Sequence, residues 1–536
     1  MKRDFAALRA PHFDLLVCGG GIYGAWTAYD AALRGLKVAL VERDDWASAT
    51  SSASSKLIHG GLRYLESYDF KLVKKALTER GMLLETAPHR VWPLRFGVPV
   101  YADSRISRPQ LKAGLVLYDL LAQSPDANLQ HRYFDRTRFA RRFPALEQNG
   151  LRGGFTYADA QTDDGRLVLE LVAGAMAAGA VCINRCKLVG LNEANGRASG
   201  AKVQDGLGGE ICEVRARVVV NATGQWLAAA EISRGWCRLS KGVHLLLPGM
   251  AGEEALLLTA KSDGRVFFMI PWYGLTLLGT TDTDYSGDIE HVVVEKADVE
   301  YLLREVNHYL NTRWTERDVI GSYAGVRVLR QSDAASPSAA SRDWELKTNG
   351  NNVFYSVGGK ITSAREDAAV IVDAVCAQLG VTVPCRTKGR VFPWAPDDFA
   401  SWSAAVAGQA HQLGIDAECG KWLMRRHGKR AGEILIEVGN NPALAKRILP
   451  SLPFIYADLL FCAREEMVVH LEDLLRRRMP LLILAKLTEE QIRNIARSVS
   501  GIMGWDETRL EQEVLAVAPQ KNYPNLPVIQ LYSGSD

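Results

Sequence analysis

Up to about Pro393, short apolar runs alternate with helix-like stretches and glycine turns. The runs FDLLVC, KVALVE, RVVVN, RVFFMIPW and LTLLG have strand length and are rich in β-branched and aromatic residues, so they read as buried strands. Strands alternating with helical patterns predict an α/β chain. Residues 240–330 are denser in strands, some joined by tight turns, which predicts a second, partly antiparallel sheet. After KGRVFPWAPDDF the texture changes. From about residue 399 apolar positions recur at helical spacing with few strand signals, as in YADLLFCAREEMVVHLEDLLRRR at 456–478. An all-α domain is expected over 393–536.

The chain has 536 residues, 47% of them hydrophobic and 23% charged, which is globular composition with length for two or three domains. A net charge of +3 is too balanced to argue for nucleic acid as a partner. Nine cysteines stand singly. The pair Cys182 and Cys186 has no second pair or histidine tail to complete a zinc site, so no metal is expected and a reducing compartment suits the chain. The N-terminal MKRDFAALRAPHFDLLV is read as carrying no secretory leader, and no run of about 18 apolar residues suggests a spanning helix.

Gly19, Gly21 and Gly24 form a G-x-G-x-x-G turn directly after the first strand, with the helix-like AWTAYDAALRG behind it. The first glycine makes the tight turn, the second lets backbone approach a pyrophosphate, and the third lets helix and strand pack closely. The helix N-terminus offers N–H groups and a positive dipole end. Glu42, ending the second strand, can accept both hydroxyls of an adenosine ribose. The motif alone leaves FAD and NAD open. Two later segments favour FAD. VVVNATGQW is an apolar strand ending in Ala222, Thr223 and Gly224, and FYSVGGKITSAREDAAVIVDAV is a strand, a double glycine and a long helix. The N-terminus of that helix can stabilise negative charge on a reduced flavin.

GGGIYGA, ATSSASSKLIHGGLRYLE, KGVHLLLP, GTTDTDY, YAGVR, SRDWEL and VGGKITSAREDA occur in order along roughly residues 1–375. In these pieces the chain resembles the FAD-dependent, quinone-linked glycerol-3-phosphate dehydrogenases. The resemblance implies a two-dinucleotide-binding Rossmann fold of the glutathione-reductase and D-amino-acid-oxidase type, with FAD as cofactor. That domain would fill residues 1–392 together with an interleaved mixed-sheet substrate domain, its sheet mainly at about 75–185 and 235–330. It implies oxidation of sn-glycerol 3-phosphate to dihydroxyacetone phosphate by hydride transfer to flavin N5. Electrons would pass to a membrane quinone, or to oxygen in the oxidase branch.

The stretch TSSASSKLIHGGLRYLE then acquires a role. Thr50, Ser51, Ser52, Ser54 and Ser55 would bind the pyrophosphate and ribityl chain. Lys56, Leu57, His59, Gly60 and Gly61 would lie along the flavin, joined by Gly359, Lys360, Ile361 and Thr362. Arg63, Tyr64, Thr280, Arg327, Arg342 and Lys360 would hold the substrate, whose phosphate dianion calls for arginine forks and lysine. His59 and His244 are the candidates for the hydroxyl proton, and Arg327 and Lys360 complete the expected catalytic set. Val243, Val328 and Ala364 depart from the family pattern and leave a longer polyol phosphate open as substrate. A related flavoenzyme on another substrate and a non-catalytic flavoprotein are the competing readings. The basic clusters RRHGKR at 425–430 and RRR at 476–478 read as a solvated helical face with salt bridges, or as attraction to anionic lipid. Peripheral attachment to the inner face of the cytoplasmic membrane and a homodimer are expectations of the resemblance.

Overall fold

The structure, a computed structural model, describes residues 1–250, 252–332 and 343–518. Phe13–Cys18 lies parallel to Val38–Val41 on one side and to Ile211–Asn221 on the other. Apart from Asp14 its residues are buried, as a strand covered on both faces requires. The sheet runs Trp344–Thr348, Val353–Gly358, Ile211–Asn221, Phe13–Cys18, Val38–Val41, Val181–Ile183. An antiparallel ribbon, Cys186–Ala194 with Arg197–Asp205, continues from Ile211–Asn221. The helices Ile22–Leu33, Asp164–Ala177 and Ala364–Leu379 cover one face through Trp26, Ala28, Val168, Ile371 and Val372.

A second, mixed sheet carries the other half of the first 330 residues. Its long members are Val91–Tyr101, Leu151–Thr162, Cys237–Leu247 and Gly321–Arg330. Ala255–Thr259 pairs parallel with Val91–Tyr101, and its neighbours pair antiparallel. Leu151–Thr162 closes the N-terminal part of this sheet, whereas Val181–Ile183 extends the first one. The residues from Asp164 to Asn221 therefore serve the first layer.

Beyond Pro393 the described residues form helices, from Phe399–Gln412 to Glu507–Val517. They dock on the second sheet by aromatic stacking: Trp422 lies 3.7 Å and Phe454 5.0 Å, centroid to centroid, from Tyr273. The stretch 456–478 is not one helix, contrary to its periodicity. Tyr456–Glu465 ends before Met467, which has φ 50°, and the chain resumes as Leu471–Asp473 and a π-helical turn Leu474–Arg478. Long-range polar bonds outweigh the helical pattern there, because Glu466 gives its carboxylate to Arg166 and its carbonyl to Arg478.

Buried charge ties the helical domain to the first layer. Arg166, on Asp164–Ala177, pairs with Glu466 and donates to the Arg426 carbonyl at 2.6 Å. Arg90, which shares Glu170 with His89, donates to the Arg425 and Arg426 carbonyls at 2.8 and 2.9 Å, and within the helical domain Arg426 and His427 share Asp458. Burial opposes ionisation of Glu466, but Arg166 and His427 outweigh it and hold the carboxyl well below its usual range. Arg166→Met leaves that carboxylate short of its main partner and is expected to lower unfolding free energy by about 3–5 kcal/mol, read from urea denaturation of the purified protein.

Candidate active site

A cavity of about 550 Å³ runs between the two sheets. One end is built on the glycine turn. A Cβ on Gly24 would sit 1.8 Å from the Gly19 carbonyl oxygen, so this residue type is what lets the helix start so close to its strand. At Gly21 a Cβ would meet only Ser51 Oγ, at 3.0 Å, and would otherwise occupy the cavity. The Ile22 N–H donates to the same Ser51 Oγ at 2.9 Å. Glu42 lines this end, and its two oxygens accept the N–H groups of Gly20 at 2.5 Å and Asp44 at 2.8 Å. Burial pushes its carboxyl up to about 7 against those two bonds. Ala222, Thr223 and Gly224 line the cavity beside the glycine turn, with the Ala222 N–H donating to the Cys18 carbonyl at 2.8 Å.

The stretch 50–66 follows the cavity and alternates between facing it and facing away. Thr50, Ser51, Ser54, Ser55, Leu57, His59, Gly61, Arg63 and Tyr64 line it. Ser52, Lys56 and Gly60 do not, contrary to the sequence expectation. Lys56 takes φ 58° and turns its ammonium to Asp164 Oδ1 at 2.5 Å and the Ser52 carbonyl at 3.1 Å. Ser54 Oγ donates to the other Asp164 oxygen at 2.7 Å. The Gly60 N–H points into a buried cluster, to Tyr118 OH at 3.0 Å and Asp159 Oδ1 at 3.3 Å. These groups fasten the wall from behind.

The other end of the cavity is cationic. Arg63, Arg265, Arg327 and Lys360 reach it, with Asp282 as a carboxylate among them. Arg327 donates to Thr280 Oγ1 at 2.8 Å and lies 3.5 Å from Asp282 Oδ1. Lys360 Nζ sits 3.8 Å above the Tyr64 ring, and the Arg63 guanidinium 5.0 Å from the same ring. Arg342 lies outside the described residues. Gly359, Ile361 and Thr362 lead from the cavity into Ala364–Leu379. Gly359 has φ 102°, and a Cβ there would lie 1.7 Å from Tyr23 OH, which accepts the Lys360 N–H at 3.0 Å and donates to Asp367 at 2.7 Å.

The two histidines separate. His59 lines the cavity, where burial first, then Lys360 and Arg63, lower its pKa to about 3. His244 does not line it. The ring is buried, stacks on Tyr323 at 4.8 Å, and touches the wall through Nε2, 2.8 Å from Ser55 Oγ. Burial, then Arg327 and Lys56, hold His244 far below the usual imidazole range. Its place in the middle of a strand, opposite Gly279 and Tyr323, explains why.

Tyr23, Arg265, Phe268 and Asp282 also line the cavity and were not singled out from the sequence. Signals were present: Tyr23 lies inside the glycine motif, Arg265 opens RVFFMIPW, and Asp282 lies in GTTDTDY.

The family described as FAD dependent oxidoreductase matches residues 14–364, and that described as the C-terminal domain of alpha-glycerophosphate oxidase matches 385–510. A glycerol-3-phosphate dehydrogenase of Synechocystis sp. is 35% identical, covering 96% of this chain and 97% of its own. Glycerol-3-phosphate dehydrogenase 2 of Mycobacterium tuberculosis is 36% identical over 95% of this chain and 88% of its own. The solved glycerol-3-phosphate dehydrogenase from Bacillus halodurans, complexed with FAD, superposes with a TM-score of 0.77 at 28% identity, covering 96% of both chains.

The depressed His59 pKa makes a prediction about stability. An imidazole that folds neutral binds fewer protons than the unfolded chain as pH falls from its ordinary value, near 6.5, towards about 3. The stability it allows is present above that window and is lost through it. Urea midpoints of the wild type are expected to fall more steeply across this range than those of His59→Gln, and parallel curves would contradict the assignment.

Proposed function

The chain belongs to the FAD-dependent glycerol-3-phosphate dehydrogenase family, and on that premise we propose that it oxidises sn-glycerol 3-phosphate to dihydroxyacetone phosphate in the cavity between its sheets. The residues present fit FAD. Gly21 leaves room for a pyrophosphate beside Ser51 and the Ile22 N–H, Glu42 faces the ribose end, and Leu57, His59, Gly359, Ile361 and Thr362 bound the space for a planar ring. Bound there, FAD supplies the acceptor for the two electrons and the hydrogen of the carbinol carbon.

The observation that carries the reading is the cationic end: Arg63, Arg265, Arg327 and Lys360 around one carboxylate. Arginine forks and a lysine suit a phosphate dianion. Arg327, held by Thr280, also stabilises negative charge developing on the substrate oxygen. His59 accepts the hydroxyl proton, since it is neutral and inside the cavity. A bound dianion cancels part of the charge of Lys360 and Arg63 and so raises its basicity. His244 acts through Ser55, orienting its hydroxyl at the wall.

A membrane quinone is the acceptor in this reading, with peripheral attachment; a homodimer belongs to the same family expectation. No helix among the described residues is long and apolar enough to cross a membrane. The basic clusters of the C-terminal domain give little support for lipid contact, because Arg426, His427, Arg476, Arg477 and Arg478 are buried and Lys429 alone among their cations is exposed. Support comes from the helix Arg108–Ala122, whose outer face exposes Val116 and Leu120, the latter 67% exposed. Tyr68, Phe70, Lys71 and Lys112 are likewise exposed. An apolar face with a basic rim suits an anionic lipid surface.

Anaerobic titration of the flavin-loaded protein with sn-glycerol 3-phosphate is expected to bleach absorbance near ~450 nm, while glycerol does not. Arg327→Ala is expected to keep its flavin and lose roughly 10²–10³-fold in kcat/KM. A yellow protein that glycerol 3-phosphate leaves unbleached overturns the reading, and unchanged kinetics in the variant remove Arg327 from the site.

A further inference from the structure

The arginines 476, 477 and 478 end the π-helical turn Leu474–Arg478, and all three are buried. Guanidinium groups leave water only with partners. Arg477 Nε donates to Asp45 Oδ2 at 2.6 Å. Arg478 embraces the same carboxylate in a fork, Nη1 to Oδ2 at 2.6 Å and Nη2 to Oδ1 at 2.8 Å. Both arginines are fixed on their own side as well. Arg477 Nη2 donates to Asp473 at 2.7 Å, and Arg478 Nε to the Glu466 carbonyl at 3.1 Å. Two cations on one fully buried carboxylate, Arg478 forked and Arg477 through a single bond, form a rigid junction between the helical domain and the first layer.

Asp45 sits in the turn after Val38–Val41, between residues that face the nucleotide end of the cavity: Glu42 and Arg43 before it, Ala47 and Ser48 after it. The turn is packed on the glycine loop. The Ala47 N–H donates to the Gly20 carbonyl at 3.1 Å, and a Cβ on Gly20 would lie 2.5 Å from the Trp46 ring. Moving Asp45 thus moves the wall at Glu42 and the glycine loop together.

We infer that the C-terminal helical domain is part of the cofactor-binding apparatus, with Arg477 and Arg478 as positioning residues that act through Asp45 to hold the 42–48 turn in the shape that retains the nucleotide half of FAD. The inference rests on the FAD reading above. Its second consequence is reciprocal. If the junction favours FAD, bound FAD tightens the junction by the same factor. A salt bridge that merely stabilises the fold has no such coupling.

The test uses the full-length protein. The FAD dissociation constant is measured from flavin fluorescence for the wild type, Asp45→Asn and Arg478→Lys, and hydrogen exchange of residues 466–479 is followed with and without FAD. The dissociation constant is expected to rise roughly ten- to a hundredfold in Asp45→Asn, less in Arg478→Lys. FAD is expected to slow exchange at 466–479 in the wild type, and to stop doing so in Asp45→Asn. Equal FAD affinity in the variants overturns the proposal. So does exchange at 466–479 that ignores FAD in the wild type, a measurement that stands even if a variant does not fold. Absence of FAD binding by the wild type would instead overturn the FAD reading.

Discussion

Taking an arginine or lysine out of water costs several kcal/mol unless a carboxylate goes with it, and the junctions of this chain are built on such pairs. Lys56 meets Asp164 behind the serine stretch, Arg80 meets Asp159 behind Gly60, Arg166 meets Glu466, and Arg477 and Arg478 meet Asp45. In each case the partners come from segments far apart in the chain. Neither member can be exposed or buried alone without a large penalty, so the two sheets and the helical domain constrain one another. The walls of the cavity inherit that rigidity.

The same rule, inverted, describes the cavity itself. Behind the walls positive and negative groups are matched closely. At its cationic end cations outnumber carboxylates, with Arg63, Arg265, Arg327 and Lys360 against Asp282. A positive excess in a partly dry pocket is unfavourable until an anion arrives, which makes it a binding site for one. The depression of the His59 pKa is the local symptom of that excess, added to burial.

Much of the arrangement was legible in the sequence where local geometry dictates residue type. Gly19 and Gly24 announce their turn because a Cβ cannot fit there, Gly21 because a Cβ would take up cavity space, and the unusual density of polar chemistry at 50–66 marks a segment that lines a cavity. Side-chain direction was not legible where a distant residue decides it. Lys56 turns away because Asp164 waits behind the wall. His244 is withheld because its strand position faces Tyr323 and Gly279. The arginines of 476–478 look solvent-facing in a helical pattern, yet the pattern breaks at Glu466 and the run is buried against Asp45. Periodicity carries no information about a carboxylate some 430 positions upstream.

Tyr23 has a consequence for how such a pocket could change its choice of substrate. Its hydroxyl accepts the Lys360 N–H, and its ring fills the space that a Cβ on Gly359 would need. The helix that opens the nucleotide turn is thereby stapled to the backbone bearing Lys360. A shift of that backbone to admit a bulkier molecule would drag on the glycine loop and loosen the cofactor. On the proposed reading, a change of specificity therefore falls to the facing wall, where Val328 lines the cavity and can vary in size without touching the staple.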